Sequence, residues 1–148
     1  MSLVVVSGAL LVSLTGCGGG DALPLGESDS YGDGTMTVTA VEERSAADIA
    51  MLESLDEVEG QTPYFLRYEV DFGSDTDPSV PATAWNGETT DGPISPVQLF
   101  GIGEFECDGL GEITDNKASG CQLVFAQPGA TLESVSIGSS GPWAVDAD

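Results

Sequence analysis

Histidine is absent from this chain of 148 residues, and lysine and arginine together number three: Arg44, Arg67 and Lys117. Without an imidazole, histidine-based hydrolase triads and histidine-ligated metal centres are excluded. Against those three cations stand 25 acidic side chains, for a formal charge of −22. A surface of that sign repels phosphate backbones and anionic headgroups, which argues against nucleic-acid binding and against membrane attachment by charge. It leaves a cationic partner open, and it also serves simple solubility. No C-x-x-C pair, Walker-type loop, dinucleotide fingerprint or internal repeat occurs. Carboxylates are so abundant that two lying close together do not by themselves indicate a glycosidase pair. Lys117 stands in a polar stretch, unlike a catalytic lysine buried to lower its pKa. The chain therefore reads as a non-enzyme.

Long apolar runs are also lacking, with one exception. Leu3 to Leu14 reads LVVVSGALLVSL, which fits the core of a signal peptide and falls short of the roughly 20 residues a spanning helix needs. Met1-Ser2 lacks the Lys or Arg that usually opens such a segment. The run leads into Leu14-Thr15-Gly16-Cys17, which resembles the bacterial lipobox. The resemblance implies cleavage before Cys17 and a covalent diacylglycerol, with further acyl chains such as palmitate, on that cysteine. Stable anchoring takes more than one chain. Gly18 to Ser30, rich in Gly, Pro and acidic residues, reads as a flexible tether. The expected organisation is a signal peptide over 1–16, a lipidated cysteine and tether over 17–30, and one domain over 31–148, too short to hold two well-cored units.

With Cys17 set aside, Cys107 and Cys121 form an even pair in a compartment that permits oxidation, and a disulfide is expected. The competing thiol metal site finds no histidine and no further thiols to complete a zinc shell.

Along the domain, Met36, Val38 and Ala40 alternate with Thr35, Thr37 and Thr39, the period of a half-buried strand. Ser45 followed by Asp48 forms a variant capping box, and Ile49, Leu52 and Leu55 lie at helical spacing, so a helix is expected over Ala46 to Leu55 with acidic Asp48, Glu53 and Asp56 outward. The clearest strand is Tyr64 to Phe72, with Tyr64, Leu66, Tyr68, Val70 and Phe72 on the core face and Phe65, Arg67, Glu69 and Asp71 on the other. Residues 73–96 read as a long Gly-, Pro- and Asp-rich excursion holding one short strand near Ala82 to Trp85. Val97 to Phe105, Gln122 to Ala126 and Thr131 to Ile137 complete the strands, with a turn at Pro128-Gly129 and a short terminal strand over 142–145. A mostly β immunoglobulin-like sandwich with one short inserted helix follows.

This layout, with Thr62-Pro63-Tyr64-Phe65 opening a long alternating strand after a short helix and a late cysteine pair around a polar loop, resembles the secreted and lipid-anchored immunoglobulin-like (telokin-like) proteins of actinobacteria. Asp71-Phe72-Gly73 stands where those proteins usually carry Asn-x-Gly. The resemblance implies a sandwich fold and an extracytoplasmic address, and it carries no catalytic residues.

Two kinds of binding residue remain. Calcium needs clustered oxygen ligands, which Asp71, Asp75 and Asp77, or Asp29 and Asp33, could supply, although neither run matches an EF-hand loop. Solvated loop carboxylates are the plainer reading. Trp85 and Trp143 are either an aromatic patch or core tryptophans. The expected function is a lipid-anchored binding or interaction module on the extracytoplasmic face of the cell membrane. It would present the 73–96 and 107–121 loops to an extracytoplasmic protein or cationic partner. The alternative is a structural or accessory envelope lipoprotein whose acidic loops bind divalent cations weakly.

Overall fold

The computed structural model describes residues 21–52, 55–94 and 106–145. The expected signal segment, Cys17 and the strand expected over Val97 to Phe105 lie outside the described residues. Among the described residues, nine strands form two antiparallel sheets. They are β1 (Ser28–Tyr31), β2 (Gly34–Glu43), β3 (Thr62–Asp71), β4 (Trp85–Thr89), β5 (Gly92–Pro93), β6 (Gly109–Leu110), β7 (Lys117–Ala126), β8 (Leu132–Ile137) and β9 (Ser140–Ala144). One sheet runs β1-β2-β3-β7-β6 and the other β5-β4-β8-β9.

A shared apolar core joins the sheets in a sandwich-like arrangement. Met36 and Val38 of β2 and Tyr64, Leu66, Tyr68 and Val70 of β3 pack with Trp85, Leu132, Val135, Ile137 and Trp143 of the second sheet. The even-numbered face of β3 is thus the core face that its alternation predicts. Burying each of these large side chains contributes about 1.5–3 kcal/mol against the entropy of ordering the chain.

The odd-numbered face of β3 is only partly solvated. Phe65 packs there with Ile49, Leu52, Val58, Leu123, Phe125 and the Cys107–Cys121 disulfide in a second, smaller core. The expected helix over Ala46 to Leu55 is replaced by two 3-10 turns, Ala46–Ile49 and Leu55–Val58. Ile49, Leu52 and Val58 are buried in the second core with Phe65, although they belong to no single helix. The capping pair does form: the Ser45 backbone N–H and hydroxyl both donate to Asp48 Oδ2, at 2.8 and 2.9 Å. The backbone hydrogen bond holds the Asp48 carboxyl below its usual range.

Three further expectations are corrected. The tether gives way from Asp21 onward. Leu23 forms a parallel bridge to Trp143, and Leu25 packs on the core. Ser28–Tyr31 is itself a strand. Ala40 does not share a face with Met36 and Val38, because a register shift between Val38 and Ala40 reverses the alternation. That bulge turns Ala40 and Glu42 outward beside Arg67 and Phe65. The 73–96 excursion is a loop only to Pro81, after which the Ala82–Ala84 turn leads into β4 and β5. In β4 the buried positions are Trp85, Gly87 and Thr89, so the strand carries little hydrophobic alternation.

The Tyr68 ring lies over Gly120, where an added Cβ would fall 2.3 Å from the ring's Cζ, and it meets Trp85 with centroids 5.2 Å apart. Burial, with a smaller contribution from Tyr31, pushes the Tyr68 phenol up to about 12. An unfolded tyrosine ionises near 10. Between those values the unfolded chain releases a proton that the folded chain keeps, so stability falls as pH rises through the window and is unaffected below it. We expect a loss of up to about 3 kcal/mol between pH ~10 and ~12 in denaturant titrations. Tyr68→Phe should remove that slope, and an unchanged slope in the variant would assign it elsewhere.

Candidate functional site

Strand register builds the site. On the outer face of the five-stranded sheet, Thr35, Asp71 and Lys117 form one rung across β2, β3 and β7, and Ser28, Thr37, Glu69 and Ser119 form the next. With Glu112 and Thr114 from the disulfide-closed loop, these residues line an open groove of about 560 Å³. Its lining is rich in acceptors. It holds five hydroxyls and three carboxylates, and its one ammonium, Lys117, lies 3.5 Å from Asp71. Ser28 and Thr37 share a 2.6 Å hydrogen bond. Among the described residues no aromatic side chain lines the groove.

Two-sided strand chemistry explains this surface: at the groove end of the sheet the residues that alternate with the core positions are hydroxyl-bearing or charged, namely Thr35 and Thr37 of β2, Glu69 and Asp71 of β3, and Lys117 and Ser119 of β7. The loop wall is held at both ends. The disulfide joins Cys107 to Cys121 with Cα atoms 4.8 Å apart. At the tip, Thr114 and Lys117 exchange backbone hydrogen bonds of 2.9 and 3.0 Å, while Asp115 and Asn116 have φ of 51° and 57°. That is a two-residue hairpin turn of the type in which Asp and Asn tolerate positive φ. Asn116 Nδ2 donates to the carbonyls of Gly73 and Asp75, both at 3.0 Å, tying the tip to the loop after β3.

Beyond the groove, the same face carries an ion cluster. Arg67 Nε donates to Glu42 Oε2 at 2.9 Å, and Arg67 Nη2 pairs with Glu106. Arg44 reaches the same two carboxylates at 3.2 and 3.4 Å and lies 4.6 Å above the Phe65 ring. The hydrogen bond that Arg67 donates to Glu42, followed by the one it donates to Glu106, raises the Arg67 pKa above its ordinary value. A second groove of about 400 Å³ runs from this cluster along β6 to Cys121. All three cations of the chain are thus committed to carboxylates of the chain itself, and among the described residues no ion pair reaches Glu69 or Glu112.

The candidates from sequence are placed as follows. Cys107 and Cys121 are disulfide-bonded. Trp85 and Trp143 are both buried core residues and form no surface patch. Asp71 lines the groove, and its Oδ1 accepts the Gly73 N–H at 2.9 Å. Asp75 Oδ1 accepts the Asp77 N–H at 3.0 Å, and Asp33 Oδ2 accepts the Ser74 hydroxyl at 3.1 Å. Asp29 accepts from the Ser30 and Gly141 N–H groups, both at 2.8 Å. Among the described residues these carboxylates are not gathered in threes around a common point. They act as turn and inter-strand acceptors. Sequence reasoning missed Thr35, Thr37, Glu69, Glu112 and the Arg44–Arg67–Glu42–Glu106 cluster. The one available signal was the hydroxyl and acidic alternation opposite the core positions.

Compared with known protein families, curated proteins and solved structures, the chain matches none.

Proposed function

We propose that this chain is a non-catalytic binding module on an immunoglobulin-like sandwich. In this reading Cys17 carries its lipid anchor, the extracytoplasmic face of the cell membrane is its address, and the outer groove receives a cationic ligand. The groove carries the reading: a concave, acceptor-rich surface whose Glu69 and Glu112 are in no ion pair among the described residues. Ligand ammonium or guanidinium groups would donate to the hydroxyls and carboxylates, with attraction that fades over a Debye length of about 8 Å at physiological salt.

A pentalysine peptide is a suitable probe. At low salt its affinity should fall on the order of tenfold, about 1.4 kcal/mol, in Glu69→Gln/Glu112→Gln. It should be nearly unchanged in Glu27→Gln/Glu133→Gln, which alters charge by the same amount away from the groove lining. Equal losses in the two variants would assign binding to diffuse charge and sink the groove.

A second reading, an accessory envelope lipoprotein binding divalent cations weakly, draws on the large excess of carboxylates over cations. Calcium raising the unfolding midpoint by several degrees, with the effect lost in Asp75→Asn/Asp77→Asn, would favour it.

A further inference from the structure

The N-terminal segment of the described chain is built into the fold much closer to Cys17 than its composition suggests. The Leu23 N–H donates to the Pro142 carbonyl and the Ala144 N–H donates to the Leu23 carbonyl, both at 2.8 Å. Gly26 N–H then bonds the Val38 carbonyl at 2.8 Å, and Leu23 and Leu25 pack on the central core. Among the described residues Leu23 is therefore the first bonded to the edge of β9, six positions on from Cys17.

We infer that the domain is seated against a lipid bilayer with its Leu23–Trp143 edge toward the headgroups. The inference rests on the reading of Cys17 as the acylated residue. Whatever conformation the intervening residues take, six residues span at most about 22 Å. A domain of this length has a diameter on the order of 35 Å. The leash is shorter than the body it holds, so the opposite end of the sandwich cannot turn to the membrane without stripping Leu23 from β9. The occupant of this edge is the bilayer to which the leash is attached.

Charge does not supply the adhesion. Asp21, Glu27 and Glu133 are exposed on or next to this edge, while Arg44, Arg67 and Lys117 are all spent on the outer face of the five-stranded sheet. The covalent tie draws the edge in, and repulsion from anionic headgroups acts only within about a Debye length. The seat should therefore be closer on zwitterionic than on anionic bilayers, and the difference should vanish with salt.

Energy transfer from tryptophan to dansyl-labelled headgroups tests this on the full lipidated chain in phosphatidylcholine vesicles. Trp143 lies beside Leu23, and Trp85→Phe leaves it as the sole donor of the two tryptophans. Inserting about 20 Gly and Ser residues between Gly20 and Asp21 adds on the order of 25 Å of reach, and transfer should fall by roughly half or more. Leu23→Pro, which removes the donor to Pro142, should lower transfer in the same direction. If either variant loses its near-ultraviolet circular dichroism, the insertion in the otherwise unaltered chain, read from both tryptophans, decides. Vesicle-bound protein giving equal transfer with and without the insertion overturns the seating while leaving the anchor intact. Protein that does not float with vesicles, or that carries an unmodified Cys17 by mass spectrometry, overturns both.

Discussion

Replacing Cys107 and Cys121 together by alanine should lower the unfolding midpoint by on the order of 10 °C. The bridge closes a loop with a sequence separation of 14, which the chain-entropy treatment converts into about 3 kcal/mol at 25 °C. The effect is not confined to the unfolded chain. Both half-cystines are buried in the small outer core with Phe65, Leu123 and Phe125, together with Ile49, Leu52 and Val58 of the 3-10 segment. The closed loop also supplies Glu112 and Thr114 to the groove. The alanine pair should therefore weaken pentalysine binding even at temperatures where the sandwich remains folded, because the start of the loop that carries Glu112 then loses its covalent tie to β7, while the tip keeps its Asn116 ties to Phe72, Gly73 and Asp75. Scanning calorimetry and peptide titration on the same preparation check the two parts. A midpoint within a couple of degrees of the parent would show that the outer core holds the loop without the bridge.

How far the sequence revealed this molecule depended on whether a residue's role is local. Period-two alternation over 64–72 identified the central strand and its core face, since the pleat alone decides which side chains share a face. The cysteine pair was readable by elimination. Ala40 lies on the opposite face from Met36 and Val38 because a bulge is a property of two paired strands, and nothing in Val38-Thr39-Ala40 announces it. The short helix failed for a related reason. Ile49, Leu52 and Leu55 stand at helical spacing, and the tertiary contact that buries Val58 with Ile49 and Leu52 in the outer core is not visible in that spacing. β4 was obscured because its inward positions are Trp85, Gly87 and Thr89, and Gly87 faces a Ser134 carbonyl only 3.0 Å from where a Cβ would sit. The groove was the least legible feature. Thr37, Glu69 and Ser119 are distant in sequence and meet only through the register of three strands.

Trp143→Ala should be among the most damaging single changes, costing about 3–5 kcal/mol in equilibrium denaturation. The side chain is fully buried, and its Nε1–H donates to the Glu27 carbonyl at 2.8 Å. Truncation therefore leaves a cavity in the main core and an acceptor without its partner, and it loosens the strand edge to which Leu23 is bonded. The two tryptophans separate packing from hydrogen bonding. Trp143→Phe keeps most of the volume and loses the donor, whereas Trp85 Nε1 is buried without a hydrogen-bond partner among the described residues. Phenylalanine at 85 thus removes an unsatisfied polar group, and phenylalanine at 143 creates one. The substitution at 143 should cost about 1–3 kcal/mol more than the same substitution at 85. Equal costs would mean that volume alone decides both sites, and that the bond to Glu27 adds nothing to the attachment of the N-terminal segment.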